Sequence, residues 1–442
     1  MKKSMDKENF MYRKKTLIYY GTILILLVLV CMLVSAGLLY RKTYFQSQIE
    51  STLPQKRKQQ GNEKIRVLIK TKGFAQVAHA EVRLQADNGL KVSCKDAVTE
   101  SGPGEMVAIT PEDERFQTGN IRVERKDEDG KITICSLNRG YGMPSYRGSL
   151  ELYRTAEGII IVNELPMEEY LYAVVPSEMP AGYELEALKA QAVCARSYAY
   201  NQSREYAYPE YQAHVDDSTS FQVYGNSSEQ ESAIQAVDET CGEKIWYNNQ
   251  VATAYYYSTS CGKSASITAW GSEVGETNQY LKSITICNEA GEAYEKELPW
   301  YRWTATVPEQ TMSDLLELNT ETEIGELLNV TITKSGDGGI VQEITVVGTT
   351  DKVTVATENK IRSALGGSGY TIEKQDGTTV NSSKLLPSAF FTIEKQNGNY
   401  ILRGGGYGHG IGMSQNGANE MAKQGRDYRQ ILTTFYTGVT VE

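Results

Sequence analysis

A stretch without a single charged residue, from Thr16 to Leu39, limits what the first part of this chain can form. As a helix, an apolar run of this length crosses the ~30 Å hydrocarbon core of a bilayer. Lysines and arginines precede the run, and basic flanks of a membrane span stay on the cytoplasmic side. The sequence therefore predicts a transmembrane anchor over residues 16–40, in a single-pass cell-membrane protein with a cytoplasmic N-terminus and an extracytoplasmic remainder.

The alternative for the same run is a secretory signal peptide, with Val34-Ser35-Ala36 as an acceptable cleavage site. The run is longer than a usual signal core and is followed by Arg41-Lys42, which favours an uncleaved anchor. On this interpretation residues 1–15 are a cytoplasmic tail, and the polar residues 41–63 are a linker.

Composition excludes several classes of protein. Hydrophobic residues make up 40% of the chain and charged residues 23%, which rules out intrinsic disorder and a multi-span membrane protein. The net charge of −10, without a basic cluster in the folded part, argues against nucleic-acid binding. The 29 tyrosines against 8 phenylalanines suit a hydrated surface that needs flat amphipathic rings. The 7 cysteines form no CxxC pair, and the sequence leaves their redox state open.

The remainder of the chain predicts an α+β fold. Short segments of alternating polarity, separated by Gly and Asp turns, predict a small β-rich accessory domain over residues 64–148. Residues 149–442 predict a mixed α+β catalytic domain that opens with a hairpin, Ser149–Tyr153 and Gly158–Asn163. Residues of about 300–400 are mostly strand-like and predict an insertion, with a helical stretch around Ser313 to Leu318.

Two helices are predicted on either side of Pro176-Ser177-Glu178-Met179-Pro180. The first follows Pro166 with helical apolar spacing and is expected to stop at Pro176. Two prolines restrict the backbone around Glu178, and a carboxyl held rigidly beside apolar groups has a raised pKa and can act as a general acid. The alternative is a carboxylate that only caps the next helix.

A glycine-rich segment from Gly404 to Gly412 lacks the Lys-Ser/Thr pair of a phosphate-binding loop and does not fit GxGxxG. It predicts a loop that approaches a ligand or another strand closely, with His409 and Gln415 projecting from it. A single histidine in such a loop is more often structural than catalytic. Cys261 as a thiol nucleophile would need a paired histidine, for which there is no local signature.

Several blocks, in this order, resemble the stage II sporulation protein D family (SpoIID), which includes the LytB-type amidase enhancers. The resemblance covers roughly residues 150–442. The blocks are Asn163–Leu171, Pro176–Pro180, Ala187–Ala192 with Ala195–Tyr198, Gln222–Tyr224 and Gly408–Ala418.

The resemblance implies a peptidoglycan lytic transglycosylase that acts in sporulation and engulfment. It would cleave the bond between N-acetylmuramic acid and N-acetylglucosamine, preferably in peptide-stripped glycan, and leave 1,6-anhydro ends. The implied partners are glycan strands, a cell-wall amidase and other engulfment-machinery membrane proteins. The family's catalytic glutamate falls on Glu178. The expected substrate-binding residues are Arg196, Gln222, Tyr224, His409, Ser414 and Gln415.

Some relatives hold zinc with a histidine and two cysteines ahead of the Gln-x-Tyr block. Here that segment offers His214, Asp216 and Asp217 but no cysteine, so we expect no metal and no cofactor. A non-catalytic wall-binding activator of an amidase is the alternative function, and a structural tether is a third. The enzyme and the activator would share a fold, and only the need for Glu178 distinguishes them.

Overall fold

The computed structural model describes residues 63–127 and 130–442. These described residues form one compact unit. The predicted cytoplasmic tail and anchor, and nearly all of the predicted linker, lie outside the described residues.

The expectation of a membrane span is corrected by the described residues. Among them, no helix is both long enough and apolar enough to cross a bilayer. The longest described helix, Leu185–Gln202, has 18 residues but carries Glu186, Lys189 and Arg196, whereas a span needs about 20 predominantly apolar residues. The fold class supported is mixed α+β, and the predicted transmembrane helix and single-pass cell-membrane location are not supported.

The described part of the chain contains strands throughout and helices mainly between residues 167 and 239 and at the C-terminus. The strands are β1 (Lys64–Ile69), β2 (Val82–Gln85), β3 (Leu90–Cys94), β4 (Ala97–Glu100), β5 (Val107–Ile109), β6 (Ile121–Arg125), β7 (Ile132–Ile134), β8 (Ser145–Tyr146), β9 (Ser149–Thr155), β10 (Gly158–Pro166), β11 (Val215–Asp216), β12 (Ile245–Tyr247), β13 (Gln250–Val251), β14 (Tyr256–Tyr257), β15 (Trp303–Pro308), β16 (Leu327–Ser335), β17 (Val341–Gly348), β18 (Lys352–Ala356), β19 (Thr371–Lys374), β20 (Thr379–Asn381), β21 (Phe391–Gln396), β22 (Asn399–Gly404), β23 (Met413–Ser414) and β24 (Thr440–Val441). The helices are α1 (Met167–Glu178), α2 (Leu185–Gln202), α3 (Glu231–Glu239), α4 (Glu309–Thr320), α5 (Glu358–Ala364), α6 (Gln415–Lys423) and α7 (Tyr428–Phe435).

A seven-stranded sheet in the order β11-β1-β10-β9-β6-β3-β4 supports the helices. The predicted hairpin is confirmed as β9 and β10, paired antiparallel from Thr155 with Gly158 to Ser149 with Glu164. Strand β1 pairs with the free edge of β10, and β6 pairs with the free edge of β9. The sheet therefore joins strands from residues 64–148 to strands from residues 149–442. A four-stranded sheet, β5-β2-β7-β8, lies in the same N-terminal part.

Helix α2 packs against α1, α3, α6 and α7. Five of its eleven buried residues are alanines, among them Ala187, Ala192 and Ala195, and small side chains let neighbouring helix backbones come close. Glu178 is the last residue of α1, so this central contact also fixes the end of the helix that carries the predicted acid.

The sequence predicts that the first helix stops at Pro176, but in the structure it continues to Glu178. A proline so near the C-terminus interrupts only the last turn. The termination comes from Pro180, because the residue before a proline is forced out of the helical region. Met179 accordingly has an extended backbone, with φ −129° and ψ 134°.

A second hydrophobic core lies within residues 300–404. Its buried members include Trp303, Leu316, Ile344 and Leu402. The five-stranded sheet β20-β19-β15-β22-β21 and the three-stranded sheet β16-β17-β18 surround this core together with α4. The predicted helical stretch around Ser313 to Leu318 is confirmed as part of α4.

The glycine-rich segment leads from β22 back to the larger hydrophobic core, which contains buried residues of α1 and α2 together with Ile411 and Met413. Tyr407 and Ile411 form bridges to Thr259 and Ala265, and β23 then pairs in parallel with β14. Gly412 has a φ of +79°, and a side chain there would collide with the main-chain carbonyl of Tyr255. The close approach to another strand, predicted for this segment, is therefore confirmed.

Candidate active site

Glu178 lies in the wall of a cavity of about 340 Å³ between the end of α1 and the segment that contains β14. Among the residues that line it in the described part of the chain, Glu178 is the one with a carboxyl group. Most of the others are aromatic or small polar residues. They are Tyr198, Thr219, Ser220, Phe221, Gln222, Val223, Ala254, Tyr255, Tyr256, Trp270 and His409.

Burial raises the pKa of Glu178 to about 7, well above its usual range. Two hydrogen bonds to the carboxyl oppose this rise by favouring the charged form. The main-chain N–H of Val223 donates to Oε1 at 2.7 Å, and the Tyr256 hydroxyl also bonds the carboxyl group. Near neutral pH the carboxyl is therefore present in both its protonated and its ionised form.

The direction of the Tyr256 hydroxyl is set by a chain of side-chain hydrogen bonds. Tyr170 donates to Oε1 of Gln222 at 3.3 Å, and Nε2 of Gln222 donates to the Tyr256 oxygen at 3.1 Å. The Tyr256 oxygen thus accepts from Gln222, which leaves its own proton for Glu178. Gln222 therefore acts on Glu178 through Tyr256.

Gln415 contacts Glu178 from the main-chain side. Its Nε2 donates to the carbonyl oxygen of Glu178 at 3.0 Å. This carbonyl is one of the last four of α1, which have no partner inside the helix. Gln415 is also the first residue of α6, so this bond ties the end of one helix to the start of another.

His409 lines the cavity, but both of its ring nitrogens are engaged by main-chain groups. Nδ1 accepts from the N–H of Ile411 at 3.1 Å, so Nε2 carries the proton and donates to the Tyr256 carbonyl at 2.9 Å. Burial lowers the pKa of His409 to about 4, which keeps the ring neutral. Its ring packs 5.1 Å from that of Trp270. These contacts make His409 a positioning residue for Tyr256 and Trp270.

The other predicted substrate-binding residues lie outside the cavity lining. Arg196 is fully buried and pairs with both carboxylate oxygens of Glu168, at 2.8 and 2.7 Å. Tyr224 is buried and donates to Asn163 at 2.7 Å. Ser414 is buried and donates to Glu295 at 2.7 Å. The structure thus brings Gln222 and His409 to the cavity with Glu178, places Gln415 behind it, and places these three residues in the core.

Glu295 is a second buried carboxyl, and burial raises its pKa to about 7. It accepts hydrogen bonds from the main-chain N–H of Ser260 at 2.8 Å and from the hydroxyls of Ser260 and Ser414. These bonds join the segment after β14 to the start of α6. Glu295 does not line the cavity of Glu178, and we assign it a structural role in the loop behind Gln415.

Sequence reasoning did not single out the aromatic residues of the cavity, Tyr198, Tyr255, Tyr256 and Trp270. Two signals pointed towards them. One is the general excess of tyrosine, and the other is the uninterrupted run from Tyr255 to Tyr257. Neither signal identifies which tyrosine reaches Glu178, because Tyr256 is brought there by its strand pairing with residues more than 150 positions later in the chain.

The described residues contain no group of three or more His, Cys, Asp or Glu side chains that could hold a metal ion. His214 accepts from the main-chain N–H of Arg66 at 3.0 Å, Asp216 accepts from the Tyr208 hydroxyl at 2.7 Å, and Asp217 pairs with buried Arg139. The expectation of no metal stays a prediction. The 6 cysteines in this part of the chain are free thiols.

Two family models match the chain. The model described as stage II sporulation protein matches residues 155–247, and a domain of unknown function matches residues 275–412. The first contains Glu178 and Gln222, and the second contains His409. The cavity therefore takes residues from both matched segments and from the residues between them.

Curated relatives extend the similarity beyond these segments. The stage II sporulation protein D of Bacillus subtilis is 31% identical over 66% of this chain and 78% of its own length. An uncharacterized protein of Brachyspira hyodysenteriae is 32% identical over 67% of this chain and 72% of its own length. The amidase enhancer of Bacillus subtilis is 32% identical over 61% of this chain. The match spans 40% of the length of that enhancer. The chain belongs to the stage II sporulation protein D family.

Proposed function

We propose that this protein is a lytic transglycosylase of peptidoglycan glycan strands and that Glu178 carries its chemistry. The observation that carries the proposal is a carboxyl with a pKa of about 7 in a cavity lined by aromatic rings. A general acid works best when its pKa lies near the working pH. The bond cut would be the one between N-acetylmuramic acid and N-acetylglucosamine.

The reaction needs one group that first gives a proton and then takes one back. Protonated Glu178 donates to the glycosidic oxygen as the bond from that oxygen to C1 of the muramic acid breaks. The C6 hydroxyl of the same sugar then attacks C1, and ionised Glu178 accepts the hydroxyl proton. The products are an anhydro-ended fragment and a free hydroxyl on the leaving sugar, and Glu178 is protonated again.

The use of the sugar's own hydroxyl fits a cavity with a single carboxyl. Ordinary glycosidases place two carboxyl groups on either side of the scissile bond. Three other acids near the family motifs are engaged elsewhere: Glu164 pairs with Lys64 and Arg66, Glu168 with Arg196, and Asp217 with Arg139. These ion pairs leave Glu178 as the candidate acid of the site.

The aromatic lining suits a sugar polymer. Tyr198, Tyr255 and Trp270 offer flat rings with polar edges, which pack against the apolar faces of sugar rings and still bond to hydroxyls. Tyr255 and Trp270 meet edge to face, with ring centres 4.7 Å apart, so the wall that they form is rigid. Glycan stripped of its stem peptides is the substrate that we expect.

The second candidate function is a wall-binding activator of a cell-wall amidase. It is favoured by the similarity to the protein named amidase enhancer. An activator needs the glycan-binding surface but not the proton transfer of Glu178. A partner amidase, and other membrane proteins of the engulfment machinery, belong to both proposals.

The experiment compares wild type with Glu178→Gln on peptide-stripped glycan. Glutamine has nearly the same shape but carries no transferable proton, and loss of proton transfer costs about 10²–10⁴-fold in rate. We expect release of anhydro-ended fragments to disappear, while pull-down by insoluble stripped wall persists. If both proteins release nothing and both accelerate an amidase, the activator proposal replaces the enzyme. If the variant cuts at the wild-type rate, Glu178 is not the acid.

A further inference from the structure

A second cavity, of about 440 Å³, is lined mostly by residues of the segment that matches the domain of unknown function, together with Cys261 and Lys263 from before it. Among the described residues that line this cavity, three are cationic and none is acidic. The lining residues are Cys261, Lys263, Arg302, Gly338, Gly339, Phe390, Phe391, Thr392, Arg403, Gly404 and Gly405. In a chain with a net charge of −10, such a grouping creates a local positive field.

The cations of this basic pocket are not fully neutralised by their neighbours. Arg302 donates to the main-chain carbonyls of Cys261 at 3.0 Å and Tyr301 at 2.7 Å, and its guanidinium lies 4.0 Å from the Tyr301 ring centre. These neutral partners fix the guanidinium but leave its charge. Lys263 is exposed and has no ion pair within the described residues. Among the described residues, Arg403 has one ion-pair partner, Glu394, which is exposed.

One loop separates the basic pocket from the cavity of Glu178. Phe390, in the wall of the basic pocket, packs so closely on Gly410 that an added Cβ there would lie 2.5 Å from its ring. Gly410 follows His409, which lines the Glu178 cavity. The carbonyl of Gly410 accepts from the N–H of Ala265, two residues after Lys263, at 2.7 Å. This loop is therefore a wall that the two cavities share.

We propose that the basic pocket binds a carboxylate of the cell-wall polymer whose glycan strand occupies the cavity of Glu178. Guanidinium and ammonium groups form charge-assisted hydrogen bonds with carboxylates. This inference rests on the proposed function for the identity of the polymer. Two wall groups supply such a carboxylate: the lactyl group of a muramic acid without its peptide, and the stem peptide itself.

The test measures binding rather than cleavage. The full-length chain with Glu178→Gln is titrated with stripped glycan strands and with the same strands after conversion of their carboxylates to methylamides. Lys263→Glu is added in the test variant, and Lys352→Glu, an exposed lysine on β18 outside the pocket, is the matched control. We expect native strands to bind about tenfold more weakly to Lys263→Glu, because one charge-assisted hydrogen bond is lost. We expect no change in affinity for Lys352→Glu.

Methylamide strands should bind weakly and equally to all three proteins. Strands that keep their stem peptides are the third arm, also with and without methylamide conversion. Weaker binding of stripped strands to Lys263→Glu identifies the lactyl carboxylate as the ligand, and weaker binding of peptide-bearing strands alone identifies the peptide carboxylate. Affinity for both kinds of strand that is unchanged in Lys263→Glu, or that methylamide conversion does not alter, would overturn the proposal.

The outcome is separable from that of the proposed function. If the wild type cuts no glycan but carboxylate-selective binding is still lost in Lys263→Glu, the basic pocket stands and the enzyme proposal falls. If the wild type cuts glycan and Lys263→Glu binds native strands normally, the enzyme proposal stands and the basic pocket falls.

Discussion

Glu178 shows how far local sequence determines the chemistry of a side chain. Its flanking prolines and apolar neighbour Met179 predicted a raised pKa, and burial does raise it, to about 7. The hydrogen-bond chain from Tyr170 through Gln222 to Tyr256 was not predictable. Its members lie far apart in the sequence, and no local spacing rule connects them.

The Tyr256 hydroxyl should adjust the acidity of Glu178. Its hydrogen bond lowers the pKa of the carboxyl, so Tyr256→Phe should raise that pKa further. Because a general acid must be protonated, the pH above which glycan release declines should move upward by about one unit. The step in which ionised Glu178 accepts the hydroxyl proton should become slower. The pH profile of fragment release measures this shift. Tyr255→Phe is the control, and an identical profile for Tyr256→Phe and wild type would refute the assignment.

The raised pKa of Glu178 also predicts a pH-dependent stability difference. The folded protein binds this proton up to pH about 7, whereas the unfolded chain releases it near 4.5, the ordinary pKa of a glutamate. The folded state therefore becomes less stable relative to the unfolded chain as the pH rises between these values. This group contributes ~3 kcal/mol at most to that loss. Glu178→Gln lacks the penalty and should be more stable than wild type at pH 8, with the difference much smaller at pH 4. Urea unfolding at both pH values measures it, and a difference independent of pH would contradict the burial of an ionisable group here.

Helices α1, α2 and α6 meet at the site, and the sequence predicted the first two from their apolar spacing. Their meeting point was not predictable in the same way, because it depends on Gln415 reaching a main-chain carbonyl of Glu178 from the far end of the chain. The helix stop was misplaced for a local reason: Pro180, through its effect on Met179, ends α1, and Pro176 does not.

Arg196 on α2 was expected to bind substrate, but in the structure it pairs with Glu168 inside the core. Removal of one partner of a buried ion pair leaves the other uncompensated, which costs ~3–5 kcal/mol. Arg196→Met should therefore lower the free energy of unfolding by about that amount, with little change in kcat per folded molecule. Denaturant unfolding and glycan assays on the same preparation test this. Unchanged stability combined with lost glycan affinity would instead favour the substrate-binding role.

At the scale of the molecule, the described residues combine two large hydrophobic cores and one small one with the cavity of Glu178. The strand-rich character of residues 300–400 and the alternation in residues 64–137 were visible in the sequence. The joining of β1 and β6 to the hairpin of β9 and β10 was not, because strand pairing between distant segments leaves no periodic signal. The cavity likewise draws Glu178 from one matched segment and His409 from the other.

The proposed reaction uses a sugar hydroxyl, and not water, as the nucleophile at C1. Cleavage of peptide-stripped glycan in heavy-oxygen water tests this directly, with the products analysed by mass spectrometry for wild type and Glu178→Gln. We predict that wild type releases fragments with 1,6-anhydro ends that contain no heavy oxygen and that the variant releases none. Reducing ends that carry heavy oxygen would show hydrolysis by a water molecule, and fragments released equally by the variant would show that Glu178 is not the acid; either result contradicts the proposed mechanism.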